Sequence, residues 1–171
     1  MTAPQLTFGC SLGVEGYWDV AELARRAEAL GYDRVTIGEH VMDGNPPRPT
    51  LLSIPAMAAA AGATRTLRVM TGIVIAPLYH PVLLAKLVGT LDVVSHGRLD
   101  FGIGISGQRD TQVEFQALDV PVGTRGRRTD AMLRVMKRLW AEEHVSYHGR
   151  YFSFEDVTLL PRPVQQPHPP I

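Results

Sequence analysis

His40 is the residue of this chain best suited by type and position to move a proton. It begins the loop after Arg34–Gly38, a short apolar run typical of a buried β-strand. Because an imidazole titrates near neutral pH, a histidine at the end of a strand can donate or accept a proton. Glu39 precedes it and, in a strand-like backbone, points to the opposite side. On the residues alone, a merely solvated loop histidine is the alternative interpretation.

Glycines in two other strand-like runs indicate close approach of the backbone to a neighbour. Gly72 predicts a bulge, a barrel-corner kink or a close approach to something flat. Gly102, Gly104 and Gly107 match the dinucleotide pattern G-x-G-x-x-G, which also requires a helix at the third glycine and an acidic residue about 20 positions on. Arginines at a predicted helix start occupy that distance instead. We therefore interpret Gly102 and Gly104 as positions where a strand passes close to side chains or a bound ring.

Other polar clusters give weaker indications. Guanidinium groups pair with phosphate through two parallel hydrogen bonds, so an arginine cluster could bind an anion, although a solvated helix face is the simpler interpretation. The cluster consists of Arg109, Arg125, Arg127 and Arg128. Two histidines four residues apart, His144 and His148, have no further ligand at metal spacing, so no metal site is expected. The sequence contains none of the G-x-S-x-G, Walker or H-E-x-x-H patterns.

Four successive strand-and-helix units carry these residues, a pattern typical of an α/β fold with a parallel sheet. The predicted strands are Leu6–Leu12, Arg34–Gly38, Leu67–Ala76 and Arg98–Ile105. Helical periodicity predicts helices at Trp18–Leu30, Thr50–Gly62 and Pro81–Val94, a short helix near Val113–Leu118, and a longer one containing Met132–Trp140. Four such units make half of a (β/α)8 barrel, a fold whose chemistry lies in the loops after the strands. The third strand is expected to be covered on both faces.

The last thirty residues depart from this alternation. Val145–His148 and Arg150–Phe154 predict a hairpin with a tight turn at Gly149, appended to the sheet. Five prolines between Pro161 and Pro170 exclude a helix or a central strand, so an extended connector is expected. A fifth strand is expected to begin at Ile171.

Composition favours a single domain over residues 1–171 that acts on small molecules. The 171 residues are 45% apolar and 20% charged, and equal numbers of acidic and basic side chains give a formal net charge of +0. This balance argues against nucleic acid or an anionic membrane as a partner. Cys10 is the sole cysteine, is expected to fill the core, and favours a reducing compartment. With no apolar run of membrane-spanning length and no signal pattern, a cytoplasmic location is expected.

Several ordered blocks of residues resemble one family. The blocks are Gly31–His40, Leu67–Pro81, Leu91–Arg98, Phe101–Ile105, Glu114–Leu118 and Arg125–Arg128. Together they resemble the bacterial luciferase-like superfamily, which includes flavin monooxygenases and deazaflavin-dependent oxidoreductases, and they correspond to its N-terminal half. The resemblance implies a barrel that binds FMN or a deazaflavin at the carboxyl ends of its strands. The Thr71-Gly-Ile-Val pattern favours the deazaflavin, coenzyme F420.

The resemblance also implies roles for individual residues. His40 matches the family's histidine beside the reactive ring and would be the catalytic proton donor or acceptor. A bulge with a non-proline cis peptide, at Gly72–Ile73 or Ile73–Val74, would back the ring. The family's phosphate contacts would follow the fifth strand. The candidate cofactor-binding residues are Glu39, Thr71, Gly72, Ile73, Val74, Gly104, Ile105 and Ser106.

The expected function is hydride transfer to, or monooxygenation of, a small organic substrate by a reduced flavin or deazaflavin. The alternative is a non-catalytic half-barrel or interaction module that lacks the second half of the cofactor site. A barrel isomerase or aldolase would need a catalytic lysine or metal cluster, whereas Lys86 and Lys137 lie in helix patterns. Four barrel strands leave two unpaired edges and an uncovered apolar face, so either a missing C-terminal half or self-association into a homo-oligomer is expected.

Overall fold

Parallel β-strands form the centre of the molecule. The computed structural model describes residues 6–13, 18–44, 46–107 and 112–171. Its parallel strands are β1 (Gly9–Ser11), β2 (Arg34–Ile37), β3 (Arg68–Thr71), β4 (Val74–Ile75), β5 (Leu99–Asp100) and β6 (Ile103–Gly104). Strands β1, β2, β3 and β5 form one sheet in that order, and β4 pairs with β6. The predicted α/β half-barrel is confirmed.

The third and fourth predicted strands are each divided in two. One is broken between Thr71 and Val74, and the other between Asp100 and Ile103. The two breaks pack against each other, because the Thr71 hydroxyl donates a hydrogen bond of 2.8 Å to the Gly102 carbonyl. Backbone polar groups released from the ladder are thus satisfied locally.

Among the described residues, five α-helices lie at the predicted positions; the ends of α3 match the prediction, and the predicted ends of the others differ by up to a few residues. They are α1 (Val20–Ala29), α2 (Ser53–Ala63), α3 (Pro81–Val94), α4 (Gln112–Ala117) and α5 (Arg125–Ala141). Asp19 caps α1 by accepting a 2.9 Å hydrogen bond from the Glu22 amide. Helix α2 begins at Ser53 rather than Thr50, because the Ser53 amide donates to the Glu39 carboxylate at 3.0 Å. None of the helices in the described residues is both long and apolar enough to cross a membrane.

One face of the sheet packs against the helices and is buried except at the partly buried Cys10 of β1. Val35, Val69 and Leu99 are 0% exposed and belong to the main hydrophobic cluster. The opposite face is half-buried and polar rather than apolar as expected, because it carries charged side chains such as Arg68 and Asp100. On it Arg68 Nε donates to Asp100 Oδ2 at 3.0 Å. Alternating side chains on β3 therefore meet different surroundings, and the expectation of cover on both faces is wrong for the described chain.

A hairpin follows α5 and forms its own two-stranded sheet rather than extending the parallel one. Its strands are β7 (Val145–His148) and β8 (Ser153–Val157). The second strand begins at Ser153 instead of Arg150, because the Gly149 amide donates to the Phe152 carbonyl at 2.9 Å and closes the turn there. The buried Phe152 ring packs under the Arg128 guanidinium, 4.5 Å from the ring centroid. The hairpin is thereby docked against α5.

The proline-rich segment after the hairpin lies along β5, without helix or strand in the described residues up to Ile171. The Gln165 side-chain amide donates to Asp92 and to the Leu99 carbonyl, each at 2.7 Å. The Phe101 amide donates to the Pro170 carbonyl at 2.8 Å, which brings the chain beside the edge of the parallel sheet. The predicted connector is therefore extended and also bound to the core.

Candidate functional site

The loops after β2 and β6, the break between β3 and β4, and two residues after β1 surround a cleft of about 670 Å³ at the carboxyl ends of the strands. Its size is within the range of small-molecule sites, about 300–1,000 Å³. The lining combines backbone-rich strand ends with side chains of the β2–α2 loop. Its residues are Gly13, Trp18, Ile37, Gly38, Glu39, His40, Asp43, Arg48, Pro49, Thr50, Leu51, Gly72, Ile73, Ile75, Gly104, Ile105, Ser106 and Gly107.

His40 reaches this cleft and is held by a carboxylate from a distant helix. Its Nδ1 lies 3.1 Å from Glu114 Oε1, and Glu114 is 0% exposed. The other oxygen, Oε2, accepts a 3.0 Å hydrogen bond from the Val41 amide. Because a carboxylate can only accept, the proton of neutral His40 resides on Nδ1. Nε2 is then the ring nitrogen left to exchange a proton in the cleft.

Glu39 lines the same cleft, but its carboxylate turns into the protein. It accepts hydrogen bonds from the Ser53 amide at 3.0 Å, the Ile75 amide at 2.9 Å and the Tyr79 hydroxyl at 3.1 Å. Burial raises the pKa of Glu39, these hydrogen bonds partly oppose the rise, and the charge of Glu114 adds to it. Burial, followed by the nearby Glu39 charge, also raises the pKa of Tyr79. Glu39 thus joins β2, α2 and β4 beneath the cleft.

Gly72 and Ile73 form a wall of the cleft through their backbone. The Gly72 amide donates to the Ile37 carbonyl at 2.8 Å, and the Gly72–Ile73 peptide is cis, as the resemblance implied. A Cβ on Gly72 would overlap the Thr36 hydroxyl, and a Cβ on Gly104 would lie 2.6 Å from Ile73 Cδ1. Position 72 therefore requires glycine for the strand ends to approach each other, whereas a side chain at position 104 would displace the end of the Ile73 side chain.

The remaining candidate residues divide between cleft and core. Gly104, Ile105 and Ser106 line the cleft from the β6 side. Thr71 and Val74 are 0% exposed and lie outside its lining. Thr71 instead binds the Gly102 carbonyl, and Val74 packs in the main hydrophobic cluster.

The other polar clusters have structural partners. Arg125 donates to the Val122 carbonyl at 3.1 Å, and Arg128 donates to the Pro77 carbonyl at 3.0 Å. Neither lines the cleft, Arg127 is exposed, and Arg109 lies outside the described residues. On the hairpin, His144 pairs with Asp156 and His148 with Glu155. Among the described residues, no group of three or more potential ligands could hold a metal ion.

Sequence reasoning missed Glu114, Trp18, Asp43 and Arg48 as site residues. Trp18 precedes α1, while Asp43 and Arg48 lie on the β2–α2 loop. The sequence signal that could have indicated Glu114 is a carboxylate next to Phe115 in a short amphipathic stretch. In the structure both side chains are buried in α4. No local pattern could indicate which strand end Glu114 faces.

A family model described as luciferase-like monooxygenase matches residues 4–171. The chain belongs to this family. This luciferase-like chain is 33% identical over 156 residues to the oxygenase component of the flavin-dependent trigonelline monooxygenase of Acinetobacter baylyi, covering 91% of this chain and 42% of the relative. It is 31% identical over 175 residues to the F420-dependent glucose-6-phosphate dehydrogenase of Microbacterium testaceum, covering 97% and 50%.

Solved structures of the family share this architecture. A monooxygenase from Streptomyces bottropensis matches with a TM-score of 0.81 and 35% identity, over 96% of this chain and 52% of that chain. An F420-dependent secondary alcohol dehydrogenase, solved with an F420-acetone adduct, matches with a TM-score of 0.79 and 25% identity, over 94% and 50%. The luciferase-like chain thus spans about half the length of the relatives and structures it matches.

Proposed function

We propose that the chain forms the N-terminal half of a luciferase-like oxidoreductase site that binds the ring of reduced FMN or of the deazaflavin F420. The observation that carries this proposal is the convergence of His40, the Gly72–Ile73 wall and the β6 loop on one cleft. Its reaction is hydride transfer or monooxygenation of a small organic substrate. The family's relatives include both flavin-dependent and F420-dependent enzymes.

The lining suits a planar ring. On the β3–β4 and β6 sides it consists of glycine and aliphatic residues, and a Cβ on Gly104 would collide with Ile73. Ring faces pack against such apolar, backbone-rich walls, while a few polar groups set the orientation. Gly72, Ile73, Gly104, Ile105 and Ser106 would hold the ring. Thr71 and Val74 would support that wall from the core side.

The chain's own residues supply proton control and orientation. A bound flavin or deazaflavin supplies the two-electron chemistry. His40 donates or accepts a proton through Nε2, while Glu114 fixes the ring orientation through Nδ1. Glu39 keeps β2, α2 and β4 together and takes no part in proton transfer, because protein donors occupy both of its oxygens.

The choice between the two cofactors is open to direct titration. We prefer F420 because of the Thr71-Gly-Ile-Val pattern, and FMN is the second candidate. The purified protein would be titrated with each cofactor while cofactor fluorescence is recorded. Saturable binding of one of them at micromolar concentration is the expected result. Failure of both would overturn the proposal for this length of chain and favour the interaction module.

Matched variants make the titration specific to the cleft. Gly104→Val places a side chain against Ile73 and is expected to weaken cofactor binding about tenfold or more. Gly126→Val is the control, because a Cβ on Gly126 meets nothing within 4 Å. Circular dichroism would verify that both variants fold. Equal cofactor affinity in the two variants would place the cofactor elsewhere.

We also propose that the half-buried polar face of the sheet is covered in the working protein, by a second barrel half or a second copy of this chain. The setting we propose is the cytoplasm, in line with the single, partly buried Cys10. Sedimentation analysis of the purified chain would test self-association. A monomer at all concentrations would exclude the second copy.

A further inference from the structure

The mouth of the cleft carries a cation that the proposed function does not use. Arg48 is the one arginine or lysine among the described residues that line the cleft. It lies on the β2–α2 loop, and its side chain is 62% exposed. A guanidinium at the entrance of a largely apolar cleft is positioned to contact whatever enters.

Asp43 holds Arg48 from one side. The Arg48 amide donates to the Asp43 carbonyl at 2.6 Å, and Arg48 Nη2 donates to Asp43 Oδ1 at 3.1 Å. The Asp43 side chain is only 12% exposed, so the partner is fixed while the arginine is open to solvent. This ion pair uses one of the five guanidinium N–H groups, which leaves an edge for a second oxygen ligand.

The other charged groups of the lining already have protein partners. The Glu39 oxygens accept from Ser53 and Ile75, and His40 is balanced by Glu114. Arg48 can be shared between Asp43 and a ligand, because its own side chain is open to solvent. An anion entering the cleft therefore meets the guanidinium of Arg48 as the permanent cation of the described lining.

An aromatic and an aliphatic side chain lie in the same lining. Trp18 is 43% exposed, and Leu51 is partly buried against the main cluster. An indole offers a flat apolar surface, while a guanidinium matches a carboxylate in two-pronged geometry. Together they suit a small molecule with an apolar or aromatic body and one carboxylate.

We propose that Arg48 binds the carboxylate of the substrate, so that the substrate class is a small apolar or aromatic organic acid. This inference rests on the proposed function, since it assigns a substrate to the same cleft. Arg48 is a specificity residue that orients the acid at the mouth. His40 remains the residue for proton transfer.

Benzoate and benzamide are suitable probes, because they have the same ring and differ in charge. Binding would be followed by the fluorescence of Trp18, with Trp18→Phe showing which signal belongs to the cleft; the other tryptophan, Trp140, is 2% exposed. Benzoate is expected to bind about tenfold more tightly than benzamide. Arg48→Gln should abolish that preference. Arg162→Gln, which removes an exposed arginine paired with Glu143, should preserve it.

The outcomes separate this inference from the proposed function. An unchanged preference for benzoate in Arg48→Gln would overturn the inference, whether or not the cofactor binds. FMN and riboflavin would also be compared in the same variant, because FMN alone carries a phosphate. If Arg48→Gln weakens FMN binding and spares riboflavin, Arg48 serves the cofactor phosphate and the inference is wrong. An Arg48-dependent preference without cofactor binding would support the acid site while rejecting the oxidoreductase.

Discussion

Glu114 orients the ring of His40, although the two residues are 74 positions apart in the sequence. Its carboxylate is fully buried and is stabilised by two donors, His40 Nδ1 and the Val41 amide. A buried carboxylate is tolerated only with such partners, so its position is tightly specified. Glu114 therefore acts as a positioning residue for the proton carrier.

Replacing Glu114 should destabilise the fold in proportion to the donors left without an acceptor. Glu114→Ala is expected to lower the free energy of unfolding by about 2 kcal/mol, because His40 and Val41 lose a buried acceptor. Glu114→Gln keeps an amide oxygen and should cost less. Urea denaturation at neutral pH would measure both. Glu143→Ala, at an exposed ion pair, is the control. Equal effects of Glu114→Ala and Glu143→Ala would contradict this role.

Gly72 is required by one neighbouring side chain. A Cβ at this position would overlap the hydroxyl of Thr36, which is buried and has no hydrogen-bond partner among the described residues. The Thr36 hydroxyl therefore contributes little stability while restricting position 72. This close packing sets the distance between β2 and β3 at the cleft.

A double-mutant cycle would test this packing. Gly72→Ala is expected to lower the free energy of unfolding by about 2–3 kcal/mol through overpacking. Thr36→Ala alone should be nearly neutral, and the double variant should recover part of the loss. Additive effects of the two substitutions, measured by urea denaturation, would show that Thr36 is not the obstacle.

At the level of elements, Glu28 on α1 binds the backbone of the segment that leads into β3. Its carboxylate accepts hydrogen bonds from the amides of Arg65, Thr66 and Leu67 at 2.7–3.0 Å. Desolvation opposes ionisation, but these bonds outweigh it and lower the pKa of Glu28 to about 2. The ionised side chain therefore ties α1 to the start of the third strand.

This pKa predicts an acid-dependent loss of stability. The folded pKa lies below the usual value of 4.5, so the contribution is complete above 4.5 and is lost as the pH falls towards about 2. Because the carboxylate is partly open to solvent, about 1 kcal/mol is expected. Glu28→Gln should flatten the pH profile of unfolding between pH 2 and pH 4.5. Glu22→Gln, at an exposed pair with Arg25, should leave the profile unchanged.

At the scale of the whole molecule, the C-terminal segment packs against residues from the middle of the chain. Gln165 binds the fully buried Asp92 of α3, 73 positions earlier, through its backbone amide at 2.9 Å and its side chain at 2.7 Å. Long-range contacts of this kind join the end of the chain to the middle of the fold. The segment therefore packs against α3 and the edge of the parallel sheet.

Loss of the contact between Gln165 and Asp92 should lower the stability of the whole fold. Gln165→Ala is expected to lower the thermal midpoint, with a cost of about 2 kcal/mol, because buried Asp92 loses a donor. Gln166→Ala is the matched control, since its amide reaches only the neighbouring Pro163 carbonyl. Calorimetry would compare the two variants. A similar midpoint for both would show that the segment is not anchored through Asp92.

Local pattern was enough to predict most elements of this chain. The helix over Pro81–Val94 follows from its apolar spacing and an N-terminal proline, and β2 from a short apolar run. These signals lie within a few residues, so they do not depend on the rest of the fold. The same locality allowed His40 to be placed at the end of a strand.

Tertiary structure alone decided what surrounds these residues. Glu114 meets His40, Glu39 turns towards Ser53 and Ile75, and Thr71 faces the core. A side chain's neighbours depend on where two strands break and on which helix then covers the gap. Periodicity records which face of an element is apolar, but it carries no information about which distant element will cover that face.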